Sequence, residues 1–158
     1  MTSEHRAAAA FLICRSEKWL CALPLENVAE TMRPLPIEPL ADLPPSILGI
    51  AVIRSAMVPV VDVAMLVDGA SASTSPTRFV SLRLGANRQV ALALGEVVGV
   101  RTLGTEALKD IPALLSDTAP HIISAIAQLD AEFLLVLQAA RMVPESLWRD
   151  LDAKVPQA

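Results

Sequence analysis

The sequence predicts an all-β protein made of two copies of one five-stranded unit, followed by a short C-terminal helix. Three observations support that class. Apolar runs are short, rich in Val and Ile, and broken by turn residues roughly every 8–12 positions, the pattern of many short strands. The two halves match in order: Cys21–Val28 (CALPLENV) can be laid on Val90–Val97 (VALALGEV), and Val60–Val67 on Val136–Val143. Finally, hydrophobic residues make up 53% of the 158-residue chain against 19% charged, while aromatics are only 3% and Tyr is absent. The core is therefore expected from Val, Leu, Ile, Ala and Met, and a mean hydropathy of +0.49 excludes disorder for most of the chain. A unit of half this length is too small to be comfortable alone, so each is expected to bury apolar surface on the other.

Taken in order, residues 1–8 read as a flexible tail without the basic and apolar regions of a secretory signal. Residues 9–143 read as one domain in two lobes, 9–67 and 78–143. Phe11–Cys14 and Trp19–Leu23 form a hairpin, and Val28–Met32 a third strand. Pro34, Pro36 and Pro39 then hold an extended connection, because proline fixes φ and pushes its predecessor out of the helical region. Leu48–Arg54 and Met57–Asp62 form a second hairpin. Pro59 has no N–H for a ladder, which places its strand at an edge or a bulge. The small polar stretch 68–77 (DGASASTSPT) reads as the linker between lobes. Strands resume at Phe79–Leu84, Val90–Leu94, Val97–Thr102, Ile122–Leu129 and Phe133–Leu137. Residues 144–158 read as a helix and tail, with Pro144 at a first helical position and Leu147, Trp148 and Leu151 on one face.

Ile47–Val67 is long enough to span a bilayer and holds only Arg54 and Asp62 as charges. Each would cost about 2.5–3.5 kcal/mol near a bilayer centre, Pro59 interrupts, and the β-branched content suits strands, so no direct membrane insertion is expected. A net charge of −4 without two adjacent basic residues gives no footprint for nucleic acid. Cys14 and Cys21 face each other across the first hairpin or sit apart; either way they read as reduced, buried thiols in a cytoplasmic protein. His5 and His121 have no second ligand at metal spacing, and no phosphate-cradling or nucleophile motif occurs, so neither metal nor cofactor is expected. Asp62 has two readings, a catalytic carboxylate at a strand end or the cap of a helical turn over Val63–Leu66. The cap is preferred, because no His, Ser or Lys partner is placed near it.

Three segments carry a resemblance: Ala22-Leu23-Pro24-Leu25 with Val28-Ala29-Glu30, then Gly49-Ile50-Ala51-Val52-Ile53-Arg54-Ser55, then Val58-Pro59-Val60-Val61-Asp62-Val63. Together they resemble the CheW family of bacterial chemotaxis coupling proteins, over nearly the whole chain. The family's Asn-Leu-Arg-Gly turn is Val52-Ile53-Arg54-Ser55 here, and a Gly usual before the penultimate strand is Ser124. The resemblance implies two SH3-like five-stranded β-barrel subdomains and a non-enzymatic adaptor. It further implies that the partners are the cytoplasmic tips of chemoreceptors and the regulatory domain of a CheA-type histidine kinase. Val28, Glu30, Arg54 and Met57 are the implied binding surface, where a receptor helix would lay an apolar stripe and Arg54 would meet a carboxylate. A coupling protein for another array, controlling surface motility or a second messenger, and a small-ligand-sensing barrel stay open. In the repeat, Leu129 is the expected counterpart of Arg54.

Overall fold

The computed structural model describes residues 8–69, 75–85, 87–110 and 122–154. The first half supplies β1 (Ala8–Ser16), β2 (Trp19–Pro24), β3 (Val28–Met32), β4 (Ile47–Ile53), β5 (Ala56–Asp62) and the one-and-a-half-turn α1 (Val63–Asp68). The second supplies β6 (Arg78–Leu84), β7 (Arg88–Leu94), β8 (Glu96–Gly104), β9 (Ile123–Leu129), β10 (Glu132–Leu137) and α2 (Glu145–Lys154). Pro144 precedes α2 rather than opening it, and its carbonyl accepts from the Trp148 N–H at 3.3 Å.

The strands form two five-stranded sheets, ordered β8-β1-β2-β10-β9 and β3-β6-β7-β5-β4. Neither sheet follows one half of the sequence, so the expected lobes 9–67 and 78–143 do not correspond to the barrels. The first barrel takes β1 and β2 from the first half and β8–β10 from the second; the other barrel takes the rest. The reason lies at β1, whose two edges are already occupied by β2 and β8, so β3 passes on to pair with β6. The repeat itself holds. Ala22 pairs with Val136 and Ala91 with Val60, matching the alignment of the two halves position by position. A repeat cannot tell pairing within a half from exchange between halves, because both bury the same residues.

Each barrel is closed by a main-chain bridge to its last edge strand, Glu38 to Ile50 in one and Lys109 to Ile126 in the other. Gly49 permits the first closure: at φ 146°, a Cβ there would run into the Glu38 carbonyl. Pro59 lies on β5, an interior strand between β7 and β4, not at an edge. Its partner Ile50 spends both its N–H and its C=O on Glu38, so the proline nitrogen faces away from β4, and the parallel ladder to β7 starts only at Val60.

Central strands are buried on both faces, with alternate residues serving different cores. On β7, Val90, Leu92 and Leu94 enter a layer between the barrels, while Ala91 and Ala93 fill a barrel interior with Phe79, Val58 and Val60. On β2, Cys21 and Leu23 enter the shared layer, while Leu20 and Ala22 fill the other interior with Phe11 and Leu134. This double burial accounts for the long apolar run Ile47–Val67, which is β4, β5 and α1. Among the described residues no helix is long and apolar enough to cross a membrane. Leu147, Trp148 and Leu151 dock α2 onto the shared layer.

Candidate protein-binding surface

Ile53 faces Ala56 across the β4–β5 ladder, so the turn consists of Arg54 and Ser55 alone. Both residues are left-handed, at φ 50° and 69°. Two successive positive φ values define the hairpin turn that matches strand twist and usually takes Asn-Gly. Arg and Ser adopt it here at a cost of about 1 kcal/mol or more each. The turn projects the Arg54 side chain, 77% exposed, onto β3 of the same barrel. Its Nε donates to Glu30 Oε2 at 2.8 Å and its Nη2 to Glu30 Oε1 at 3.0 Å. Those hydrogen bonds hold the Glu30 carboxyl below its ordinary range and keep the guanidinium charged. The contact ties together the two edge strands of the sheet, β3 and β4.

Of the sequence-derived residues, Glu30 and Arg54 are thus in direct contact. Met57 is 37% exposed and lies opposite Val52, itself 63% exposed, giving a cross-strand apolar pair on the outer face beside the turn. Val28 sits two residues before Glu30, half-buried against the layer between barrels. Val52 was visible in the sequence only as a missing Asn. The alternation of β4, in which Ala51 and Ile53 point inward, is the signal that places it outside. A cleft of about 290 Å³ adjoins the turn, and polar or charged residues (Ser55, Asn87, Arg88, Gln89, Asp152) make up half of its lining beside Met57 and Trp148.

The remaining candidates go elsewhere. Asp62 caps α1, accepting from the Ala64 N–H at 3.1 Å and the Met65 N–H at 3.3 Å. Cys14 and Cys21 are direct cross-strand partners, both free and buried, and burial pushes each thiol up to about 12. His5 and His121 lie outside the described residues, as do most of the 1–8 tail, 70–74 of the linker and 155–158. No cluster of three metal-ligating side chains occurs among the described residues. The counterpart of Arg54 is Asp130, not Leu129, because Leu129 faces Glu132 just as Ile53 faces Ala56.

Two strand-exchanged SH3-like barrels, packed through a common apolar layer and presenting exposed hairpin tips, define a class of two-barrel all-β protein. The CheW-like domain model matches residues 10–146, and the chain belongs to that family of chemotaxis scaffolds. Its fold is similar to the crystal structure of the scaffolding protein TtCheW from Thermoanaerobacter tengcongensis, with a TM-score of 0.72 and 17% identity, covering 82% of this chain and 88% of that one. At that identity the likeness establishes the fold alone. No curated protein matches the chain.

Proposed function

We propose that this protein is a non-enzymatic cytoplasmic adaptor that couples chemoreceptor tips to the regulatory domain of a CheA-type histidine kinase. Val28, Glu30, Arg54 and Met57, joined by Val52, form its receptor-facing surface. The observation that carries this reading is the Arg54–Glu30 pair at 2.8 Å beside the exposed Val52–Met57 pair. An arginine fixed by one carboxylate keeps further N–H donors for a second, and the adjacent apolar pair suits the stripe of a helix. Surface ion pairs contribute little to stability, so a charge held in this geometry is free to serve recognition.

The test is Arg54→Glu, which places two carboxylates opposite each other. Expected is loss of co-sedimentation with receptor arrays, with far-UV circular dichroism, melting temperature and kinase binding unchanged, since the kinase is expected at other strand ends. Receptor binding retained at wild-type level would sink the assignment.

A further inference from the structure

The two barrels share a framework but end differently at their hairpin tips. In the first barrel Ile13, Leu20 and Leu134 fill the interior up to its mouth. Arg15 on β1 then crosses to Glu132 on β10 through two hydrogen bonds of 2.8 Å, which close that end. Strand register in the second barrel puts Ser81, Gln89, Val58 and Ala56 at the places of Ile13, Leu20, Leu134 and Glu132. Each exchange removes an aliphatic side chain, shortens one, or deletes the closing carboxylate. Arg83 stands where Arg15 stands, but with alanine across from it the side chain turns to the Val28 carbonyl, at 3.3 Å.

The cleft of about 290 Å³ lies at this end of the second barrel, and two of its lining residues belong to the inner wall. Val58 packs with Phe79 in the barrel interior, and Gln89 shares a strand face with Ala91 and Ala93. The cleft is therefore the open end of the barrel. Two residues further in along β6 than the Arg83–Gln89 pair, Ser81 is fully buried on the same inner face as Phe79. Its Oγ has no hydrogen-bond partner among the described residues, and a buried hydroxyl left unpaired costs stability. The lining selects the chemistry of a partner. Ser55, Asn87 and Gln89 supply neutral hydroxyl and amide groups, with Met57 and Trp148 as an apolar side. The two charged members, Arg88 and Asp152, are opposite in sign, and both Nη groups of Arg88 are already given to Glu145 at 2.7 and 3.2 Å, which leaves no fork for a carboxylate or phosphate. The volume lies at the lower bound of the ~300–1,000 Å³ of ligand sites, the size of a small metabolite.

We propose that the open end of the second barrel binds a small organic molecule without net charge, bearing hydroxyl or amide groups, one of which pairs with the Ser81 hydroxyl. Such groups both donate and accept, so they match the Ser, Asn and Gln side chains around the cleft as well as Ser81 inside it. The first barrel has no such site, because its own side chains and the Arg15–Glu132 pair take up the equivalent end. This binding is separate from the adaptor reading and neither requires nor prevents a partner at the Arg54 turn.

The experiment is ligand-observed saturation-transfer NMR on the full chain, with glucose and nicotinamide as neutral hydroxyl and amide probes and citrate and spermidine as charged ones. Transfer to a neutral probe and none to the charged pair is expected. Ser81→Ile with Gln89→Leu gives the second barrel the filling of the first, and is expected to abolish that transfer while raising the melting temperature. Ala56→Glu supplies the missing carboxylate across from Arg83 and is expected to abolish it as well; it decides alone if circular dichroism shows that the double variant does not fold. Absence of transfer to both neutral probes from the wild-type chain overturns the proposal. So does transfer that persists in the folded variants, which puts the ligand elsewhere, or equal transfer to citrate or spermidine, which contradicts the class.

Discussion

The hairpin tips of β4–β5 and β9–β10 occupy equivalent places in the two barrels and differ in almost every property that matters for recognition. One carries Arg54 and Ser55, both left-handed, with the arginine paired to Glu30 on β3. The other carries Asp130, left-handed alone, before Ala131. Strand register equates Glu30 with Gly99, because each faces the matching residue of the neighbouring strand, Ser81 or Ile13. The second tip therefore has the opposite charge and a glycine in place of the paired carboxylate. Met57 corresponds to Phe133, which is 71% exposed, so both tips show an apolar side chain. There the fastening shifts to β10, where Glu132 receives both Arg15 donors at 2.8 Å. A duplicated framework has thus been kept for packing while its two tips have diverged in charge, and the Arg54 tip adjoins a cleft walled by α2.

The largest expected effect tests the closure of the two barrels. Gly49 and Ala125 are equivalent positions, yet only at Gly49 would a Cβ meet the bridging carbonyl of Glu38. Gly49→Ala is expected to cost about 3 kcal/mol in denaturant unfolding, whereas Ala125→Gly costs about 1 kcal/mol or less. Equal losses at the two sites would show that the close approach at Gly49 does not set the two closures apart. A smaller effect separates the turns. Ser55→Gly relieves a left-handed non-glycine residue and is expected to raise stability by about 1 kcal/mol, with no gain from Ala131→Gly. A neutral Ser55→Gly would mean that the turn carries no strain.

The smallest effect concerns the ion pair present at only one tip. Hydrogen bonds from Arg54 lower the folded-state value of Glu30 from its ordinary 4.5, and its side chain stays partly exposed at the surface. Its stabilisation is therefore complete above 4.5 and is lost as pH falls through the lower folded value. Melting curves below that pH are expected to show a slight extra loss in wild type compared with Glu30→Gln, shrinking as salt is added. Parallel curves for the two proteins would show that the pair adds nothing to the fold. The Arg15–Glu132 pair follows the same sign, since Glu132 is lowered by hydrogen bonds from Arg15.

Much of this architecture was readable from the residues. Apolar runs of strand length, proline and glycine punctuation, and the Asp62 cap are local signals, because each reflects the backbone and its nearest neighbours. The repeat was equally legible, and its alignment of Ala22 with Ala91 and Val60 with Val136 is the register of the two parallel ladders. Arg54 and Glu30 were singled out by resemblance, but 24 positions separate them, and nothing local says that the barrel curls to bring β3 under the β4–β5 turn.

By itself the sequence determined the strand content, the duplication and the absence of recognisable catalytic or metal motifs, because periodicity and composition act at short range; the candidate residues came from the resemblance to a family. Tertiary structure alone decided that the halves exchange strands, that Pro59 lies in an interior strand, that Asp130 answers Arg54, and that α2 walls a cleft beside Met57. Those outcomes depend on which edge each strand finds free. The repeated residues suit either pairing, so the choice belongs to the packed whole.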